Sequence, residues 1–124
     1  MAEEHKHLII RAEVTKPPID PIWATNWLTH VVQKIGMKIL MGPYATYCPV
    51  VGNAGLTAAV IIETSHIVLH VWDEGDIGEL QFDVYTCSHL NPQDIFDELE
   101  QFGLVKLEYK YLNREKGLTE VDIS

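Results

Sequence analysis

Leu56–Glu63 reads LTAAVIIE and His66–Trp72 reads HIVLHVW, two β-rich runs with only Thr64 and Ser65 between them. Each predicts a strand. On their C-terminal side the turn DEGDIG leads to Glu79–Thr86, ELQFDVYT. There Leu80, Phe82 and Val84 alternate with Gln81, Asp83 and Tyr85, the period of a half-buried strand. Asn91 followed by Pro92 then signals a helix start, and Ile95, Phe96, Leu99 and Phe102 form its apolar stripe up to Gly103. Val105–Leu112 is the next strand, with Val105, Leu107, Tyr109 and Tyr111 on one face and Lys106, Glu108 and Lys110 on the other. The polar tail after Leu112 is expected to be loose.

On the N-terminal side, His7–Val14 (HLIIRAEV) is a first strand, broken by KPPIDP. Asp20 can cap free N–H groups and Pro21 fits the first helical position. Ala24, Trp27, Leu28, Val31, Val32 and Ile35 recur at helical spacing, and Gly36 ends the helix. Met37–Met41 is a second strand, and Gly42–Gly55, with Pro43, Pro49 and Gly52, is expected to be irregular.

The order is β-α-β-β-β-β-α-β. Two helices cover only one face of about six strands, so an α+β two-layer sandwich follows, with an antiparallel-rich sheet and both helices on one side. The uncovered face must meet solvent, a ligand or another subunit, and a homodimer is expected on that ground.

The 124 residues hold no internal repeat, linker or low-complexity tract, and the chain reads as a single domain, 1–124. Nine Lys and Arg against 18 Asp and Glu give a net charge of −9. That balance argues against nucleic acid and anionic membranes, whose phosphates require a basic face, and is compatible with a cationic ligand. No apolar run approaches the roughly 18 residues of a membrane span. The opening MAEEHKH is charged, with no apolar signal region after it. Two cysteines, Cys48 and Cys87, make neither a disulfide framework nor a zinc spacing, so a reduced, cytoplasmic setting is expected. His5, His7, His30 and His89 are scattered, and no metal site is expected.

The densest polar cluster lies between Thr57 and Cys87: Thr57, Glu63, Thr64, Ser65, His66, His70, Trp72, Glu74 and Cys87. ETSH interrupts an otherwise apolar strand pattern. Polar groups inside a sheet need partners or cost roughly 1–3 kcal/mol each.

The run GLTAAVIIETSHIVLHVWDE, followed by QFDVYTC, resembles the prokaryotic S-adenosylmethionine decarboxylases. These are pyruvoyl enzymes that make the aminopropyl donor for polyamine (spermidine) synthesis. Their pattern is a Gly-x-Ser/Thr strand, Glu-Ser-His, His-x-Trp-Pro-Glu, then Asp-Val-Phe-Thr-Cys-Gly. HLIIRAEV and the two helices also fall where the family has them, so the resemblance covers nearly the whole chain. It is specific in the central motif, where the spacing from Ser65 to His70, Trp72 and Glu74 fits without gaps.

The resemblance implies a chemistry for each position. Decarboxylating an α-amino acid leaves a carbanion, and a pyruvoyl carbonyl supplies the electron sink by forming a Schiff base with the substrate amine. The Ser65 hydroxyl would attack the Thr64 carbonyl, turning amide to ester. Elimination would then leave a β-chain, 1–64, and an α-chain, 65–124, that begins with pyruvoyl. By the same resemblance His70 is the base that removes the Ser65 Cα proton, and Thr57 assists it. Cys87 is the acid that returns a proton to the substrate carbon. Trp72 stacks on adenine or faces the sulfonium, and Glu74 accepts from ribose hydroxyls. The implied substrate is S-adenosylmethionine.

Strand parity sets a condition on this assignment. His66, Val68, His70 and Trp72 share one face, whereas Ser65 alternates with them beside Ile67 and Leu69. For Ser65 to meet His70 the backbone must kink or bulge near Thr64–Ser65. Cys87 follows the parity of Asp83 and Tyr85, away from the helix-covered face.

The sequence departs from the family pattern at four points. Thr64 stands where Glu precedes the reactive Ser, and Glu63 is one residue earlier. Asp73 replaces Pro, Ser88 replaces Gly, and the stretch before Cys87 is about two residues longer. A β-branched Thr64 crowds the carbonyl under attack. Two other readings therefore stand beside the first: an unprocessed, inactive relative that binds a ligand or an active paralogue, and a pyruvoyl decarboxylase of another amino acid such as ornithine or arginine. The plain structural readings are a strand-edge Ser65, a hydrogen-bonded His66 and His70, and a small hydrophobe at Cys87. Trp72 would pack at a dimer face, and Asp73 and Glu74 would be turn residues.

Overall fold

The computed structural model describes residues 4–123. Strand β1 (Lys6–Val14) is followed by helix α1 (Pro21–Lys34) and by strands β2 (Ile39–Cys48), β3 (Gly55–Ile62), β4 (Ser65–Trp72) and β5 (Gly78–Thr86). Helix α2 (Pro92–Leu99) runs into a 3-10 turn, and strands β6 (Leu104–Asn113) and β7 (Thr119–Glu120) complete the chain. The strands form one seven-stranded sheet in the order β2-β3-β4-β5-β1-β6-β7, antiparallel at every pairing. This is the α+β sandwich that the patterning predicts.

Both helix starts form as the cap-then-proline signal requires. The Asp20 carboxylate accepts from the Ile22 amide at 2.9 Å and the Asn91 side chain from the Gln93 amide at 3.1 Å. Each satisfies an N–H that the first turn leaves without an intrahelical partner.

The inward row of each central strand supplies the core: Leu8, Ile10 and Ala12 from β1, Leu69 and Val71 from β4, Leu80, Phe82 and Val84 from β5. Leu28, Val31 and Val32 of α1 and Ile95 and Leu99 of α2 close over them. Trp27 stacks on Trp23 and meets Phe82 and Phe102, while its indole N–H donates to Glu98 at 3.0 Å. Phe96 packs on Tyr109 with ring centroids 5.0 Å apart.

Two expectations about irregular chain are corrected. The strand expected to stop at Met41 continues to Cys48, with register shifts on both sides of Met41. Pro43 is tolerated there because β2 is an edge strand, where a missing N–H removes no ladder bond. Gly42, at φ +89°, gives the bulge a conformation that other residues resist. The tail expected to be loose pairs instead as β7, Leu112 opposite Glu120 and Asn113 opposite Thr119. The Val121 amide donates to the Tyr111 carbonyl at 2.7 Å, and Val121 and Ile123 pack against the core. Two apolar side chains in a polar tail are enough to dock it.

The other face of the sheet carries no helix. Arg11 on this face donates to Glu13, Glu79 and Glu108 at 3.0, 2.6 and 2.8 Å. Ile9 and Ile61 remain 41% and 46% exposed, so the open face mixes charge with apolar surface.

Candidate functional site

Ile62 pairs directly with Ser65, so the β3–β4 connection is a turn of only Glu63 and Thr64. Thr64 takes φ +48°, a left-handed conformation that is unfavourable for a β-branched residue. The tight turn aims the Glu63 carbonyl at three donors: the Ser65 hydroxyl at 2.8 Å, the Thr64 hydroxyl at 2.9 Å and the Cys87 thiol at 3.2 Å. Ser65 itself is buried, at 7% exposure. The structure therefore brings Ser65, Thr64 and Cys87 together around one peptide oxygen. The Ser65 hydroxyl engages the carbonyl of Glu63, one residue before the carbonyl it was expected to attack.

Cys87 is held where β5 ends. The Thr86 hydroxyl donates to the Ser88 carbonyl at 2.9 Å, and the Ser88 hydroxyl to the Met37 sulfur at 3.2 Å. Ser88, the departure from the family's Gly, thus ties the segment to the chain entering β2.

The remaining candidates gather further along β4. Thr57 and His70 are cross-strand partners, with Thr57 Oγ1 3.0 Å from His70 Nδ1. The His70 and Trp72 rings lie 6.2 Å apart. The Trp72 indole N–H donates to Asn53 at 2.8 Å. The Glu74 carboxylate accepts from the Gly52 and Ala54 amides at 3.0 and 3.2 Å, and these two bonds lower its pKa. Tyr47 donates to Asp73 at 2.7 Å. Glu74, expected to serve ribose hydroxyls, spends one lone pair of each oxygen on the loop before β3 and keeps the others free. Gly55 makes the loop's close approach possible, because a Cβ there would lie 1.7 Å from the Val71 carbonyl oxygen.

The kink expected to bring Ser65 to His70 is absent. Burial alternates without interruption along β4, and its registers with β3 and β5 run unshifted. Five residues of regular strand separate the two side chains by about 16 Å, on opposite faces. The ladders on both sides hold β4 straight, so the left-handed turn at Thr64 is taken up before the strand begins.

Beside His70 the open face has a shallow hollow of about 200 Å³, bordered by Ile9, Val68, Gln81 and Asp83. It falls short of the roughly 300 Å³ of an ordinary small-molecule pocket. Sequence reasoning missed Asn53, the acceptor for Trp72, and the convergence of His7, His66 and Asp83 on this face. Outward parity marks the latter three individually, but only the strand order β4-β5-β1 makes them neighbours.

Comparison with known proteins gives the same fold. The crystal structure of the adenosylmethionine decarboxylase from Aquifex aeolicus matches over 100% of this chain and 99% of that one, with a TM-score of 0.66 at 18% identity. The S-adenosylmethionine decarboxylase proenzyme of Pyrococcus horikoshii is 29% identical over 119 residues, 94% of this chain and 81% of that protein. That of Pyrobaculum arsenaticum is 39% identical over 64 residues, which span half of each chain. The family model described as S-adenosylmethionine decarboxylase matches residues 7–115, from β1 to the end of β6, and so takes in the hairpin, the Thr57–His70 pair and Cys87. The chain belongs to the S-adenosylmethionine decarboxylase family of carboxy-lyases.

Proposed function

We propose that the protein decarboxylates S-adenosylmethionine for polyamine (spermidine) synthesis, using a pyruvoyl group made from Ser65. The observation that carries this reading is the shared hydrogen bonding of Ser65 and Cys87 to the Glu63 carbonyl, beside a left-handed Thr64. These residues fit the group. Ser65, whose Cα would become the keto carbon, directly follows a tight turn, and a thiol already stands next to it.

Processing starts with a rotation of the Ser65 hydroxyl from Glu63 to the neighbouring Thr64 carbonyl. Attack on that carbon breaks the Thr64–Ser65 amide, forms an ester and frees the Ser65 amine. A base then takes the Ser65 Cα proton, the Cβ–O bond breaks, and residues 1–64 leave with a terminal carboxylate. Water replaces the enamine nitrogen, released as ammonia, and leaves the carbonyl at the head of residues 65–124. That carbonyl supplies an electron sink for the pair left when carbon dioxide departs. Cys87 holds the proton returned to the substrate carbon, Trp72 faces the sulfonium or stacks on adenine, and the free lone pairs of Glu74 accept from ribose.

The base is assigned to His70, with Thr57 on its Nδ1. One chain keeps this pair about 16 Å from Ser65. A homodimer resolves the separation. A second copy laid on the helix-free face with two-fold symmetry runs its β4 against the first and brings its Thr57–His70 end over the Ser65–Cys87 end. There it meets Ser65 once cleavage of the Thr64–Ser65 amide frees that residue to turn away from the helix-covered face. The same packing roofs the hollow beside His70 and covers Ile9 and Ile61. The reading is of one domain with no nucleic-acid or membrane partner. Among the described residues no helix is long and apolar enough to cross a membrane. A cytoplasmic setting suits a mechanism that needs Cys87 as a thiol, and both cysteines are free.

A second reading has its own observation. The hydroxyl of Ser65 is committed to Glu63, and the carbonyl of Thr64 follows a β-branched side chain. Both favour an unprocessed relative that keeps the fold and binds ligand. Intact mass under denaturing conditions decides between the two. Fragments 1–64 and 65–124, the second starting in a carbonyl that an amine and borohydride trap, are expected. A chain that stays whole after long incubation at neutral pH overturns the catalytic reading.

A further inference from the structure

On the open face, β4, β5 and β1 are adjacent, and His66 and His7 both stand opposite Tyr85. The two imidazoles flank the Tyr85 ring, each with its centroid 5.5 Å away. Two residues along β5, Asp83 projects on the same side. One of its oxygens, Oδ1, meets both imidazoles: it accepts a hydrogen bond from His7 Nε2, and His66 Nε2 stands 3.7 Å away. The latter distance is too long for a hydrogen bond, and among the described residues the His66 imidazole makes none.

We propose that His7, His66 and Asp83 form a binding site for a divalent transition-metal ion, zinc or a cation of similar preference. Two imidazoles and one carboxylate are a donor set suited to such ions, and they leave room for water or a ligand in further positions. The three ligand atoms lie within 4.8 Å of one another. Bonds of about 2.0–2.2 Å in a tetrahedron place ligands roughly 3.3 Å apart. The 3.7 Å between His66 and Asp83 is already near that span, and a side-chain rotation of His7 off its hydrogen bond opens the third side. All three ligands stand on paired strands in the middle of the sheet, so the backbone holds their spacing.

Arg114 is the group that opposes the ion. Its guanidinium lies 4.1 Å from the Tyr85 ring centroid and places Nη1 3.3 Å from His7 Nδ1. A guanidinium only donates, so this contact makes Nδ1 an acceptor and leaves the imidazole proton on Nε2. Metal binding at Nε2 moves that proton to Nδ1 and displaces Arg114. An Arg114→Gln side chain instead offers a carbonyl oxygen to Nδ1–H, the partner that metal-bound histidines usually have.

The test is titration of the untagged, chelator-stripped chain with cobalt(II), read by its visible absorption, followed by displacement with zinc. One cobalt per chain is expected, with affinity reduced at least about 10-fold in His66→Gln and Asp83→Asn and increased in Arg114→Gln. Both first positions are partly exposed, and thermal melts close to the parent's verify that the variants fold. The Ser65→Ala chain, which cannot be cleaved, binds cobalt as the parent does, so the result is independent of the proposed decarboxylation. Absence of saturable binding, or unchanged affinity in both ligand variants, overturns the site and leaves Asp83 as a hydrogen-bonded bridge between strands.

Discussion

Thr57 Oγ1 lies 3.0 Å from His70 Nδ1 across the β3–β4 pair, whereas Ser65 begins the same strand on its other face. The proposed processing base and the Ser65 Cα proton it must take lie in different neighbourhoods. A second copy of the chain is the simplest means of joining them.

Mixed dimers test that arrangement directly. His70→Ala and Ser65→Ala are each expected to remain whole when made alone. Co-expressed, they form roughly half mixed dimers on random association. In each mixed dimer the Ser65 of one chain faces the His70 of the other, and cleavage of the His70→Ala chain returns. Mass spectrometry reads it, and a His70→Ala chain that stays intact in the mixture rules out the shared site.

The turn at Thr64 yields a second expectation. A left-handed conformation costs a residue with a Cβ about 1–2 kcal/mol, and glycine escapes the penalty. Thr64→Gly should therefore raise stability by roughly 0.5 kcal/mol in urea unfolding, the relief exceeding glycine's larger unfolded-state entropy. If relief of this strain helps drive the acyl shift, the same variant self-cleaves more slowly. A rise in stability with an unchanged cleavage rate separates the strain from the chemistry.

Asn53 positions Trp72 through one hydrogen bond of 2.8 Å to the indole N–H. Asn53→Ala releases the ring without removing it. Loss of an oriented cation–π contact of about 1 kcal/mol weakens S-adenosylmethionine binding roughly 5-fold. Self-cleavage is expected to proceed at the parent rate. Binding measured on the processed protein, beside a time course of fragment formation, reads the two effects separately.

Glu98 ties α2 to α1, accepting from Trp27, His30 and Lys34, each at 3.0 Å. Burial raises its pKa, but the hydrogen bonds from His30, Lys34 and Trp27 prevail and hold the carboxyl below the usual range. A depressed carboxylate stabilises the fold fully above its unfolded pKa of about 4.3 and loses that contribution as pH falls through the lower folded value. Glu98→Gln should cost about 1 kcal/mol at neutral pH, because solvent screens the partly exposed His30 and Lys34 partners. The urea midpoints of variant and parent should converge below pH 4. A constant difference down to the acid limit would assign the effect to packing instead.

Local signals carried most of the architecture. Asp20-Pro21 and Asn91-Pro92 announced both helices, and the alternation through Glu79–Thr86 named the inward row of β5, because capping and side-chain parity act within a few residues. The extension of β2 through Gly42–Pro43 was not legible, since tolerance of proline depends on the strand lying at an edge. Nor was the docking of Val121 and Ile123, which needs the groove they enter. At the site, the central motif singled out Ser65, His70 and Cys87 by type and spacing. It could not say that Cys87 joins Ser65 at one carbonyl while His70 stands apart.

The sequence alone determined which side chains face inward and where helices start, and it carries the functional groups that its resemblance to a family singles out as candidates. These are consequences of periodicity and of functional groups, properties that travel along a chain. The tertiary structure decided who meets whom. The strand order β4-β5-β1 placed His66, Asp83 and His7 side by side, and regular ladders on both edges of β4 kept Ser65 and His70 apart. Pairing between strands distant in sequence is set by the packing of the whole sheet, and no local pattern encodes it.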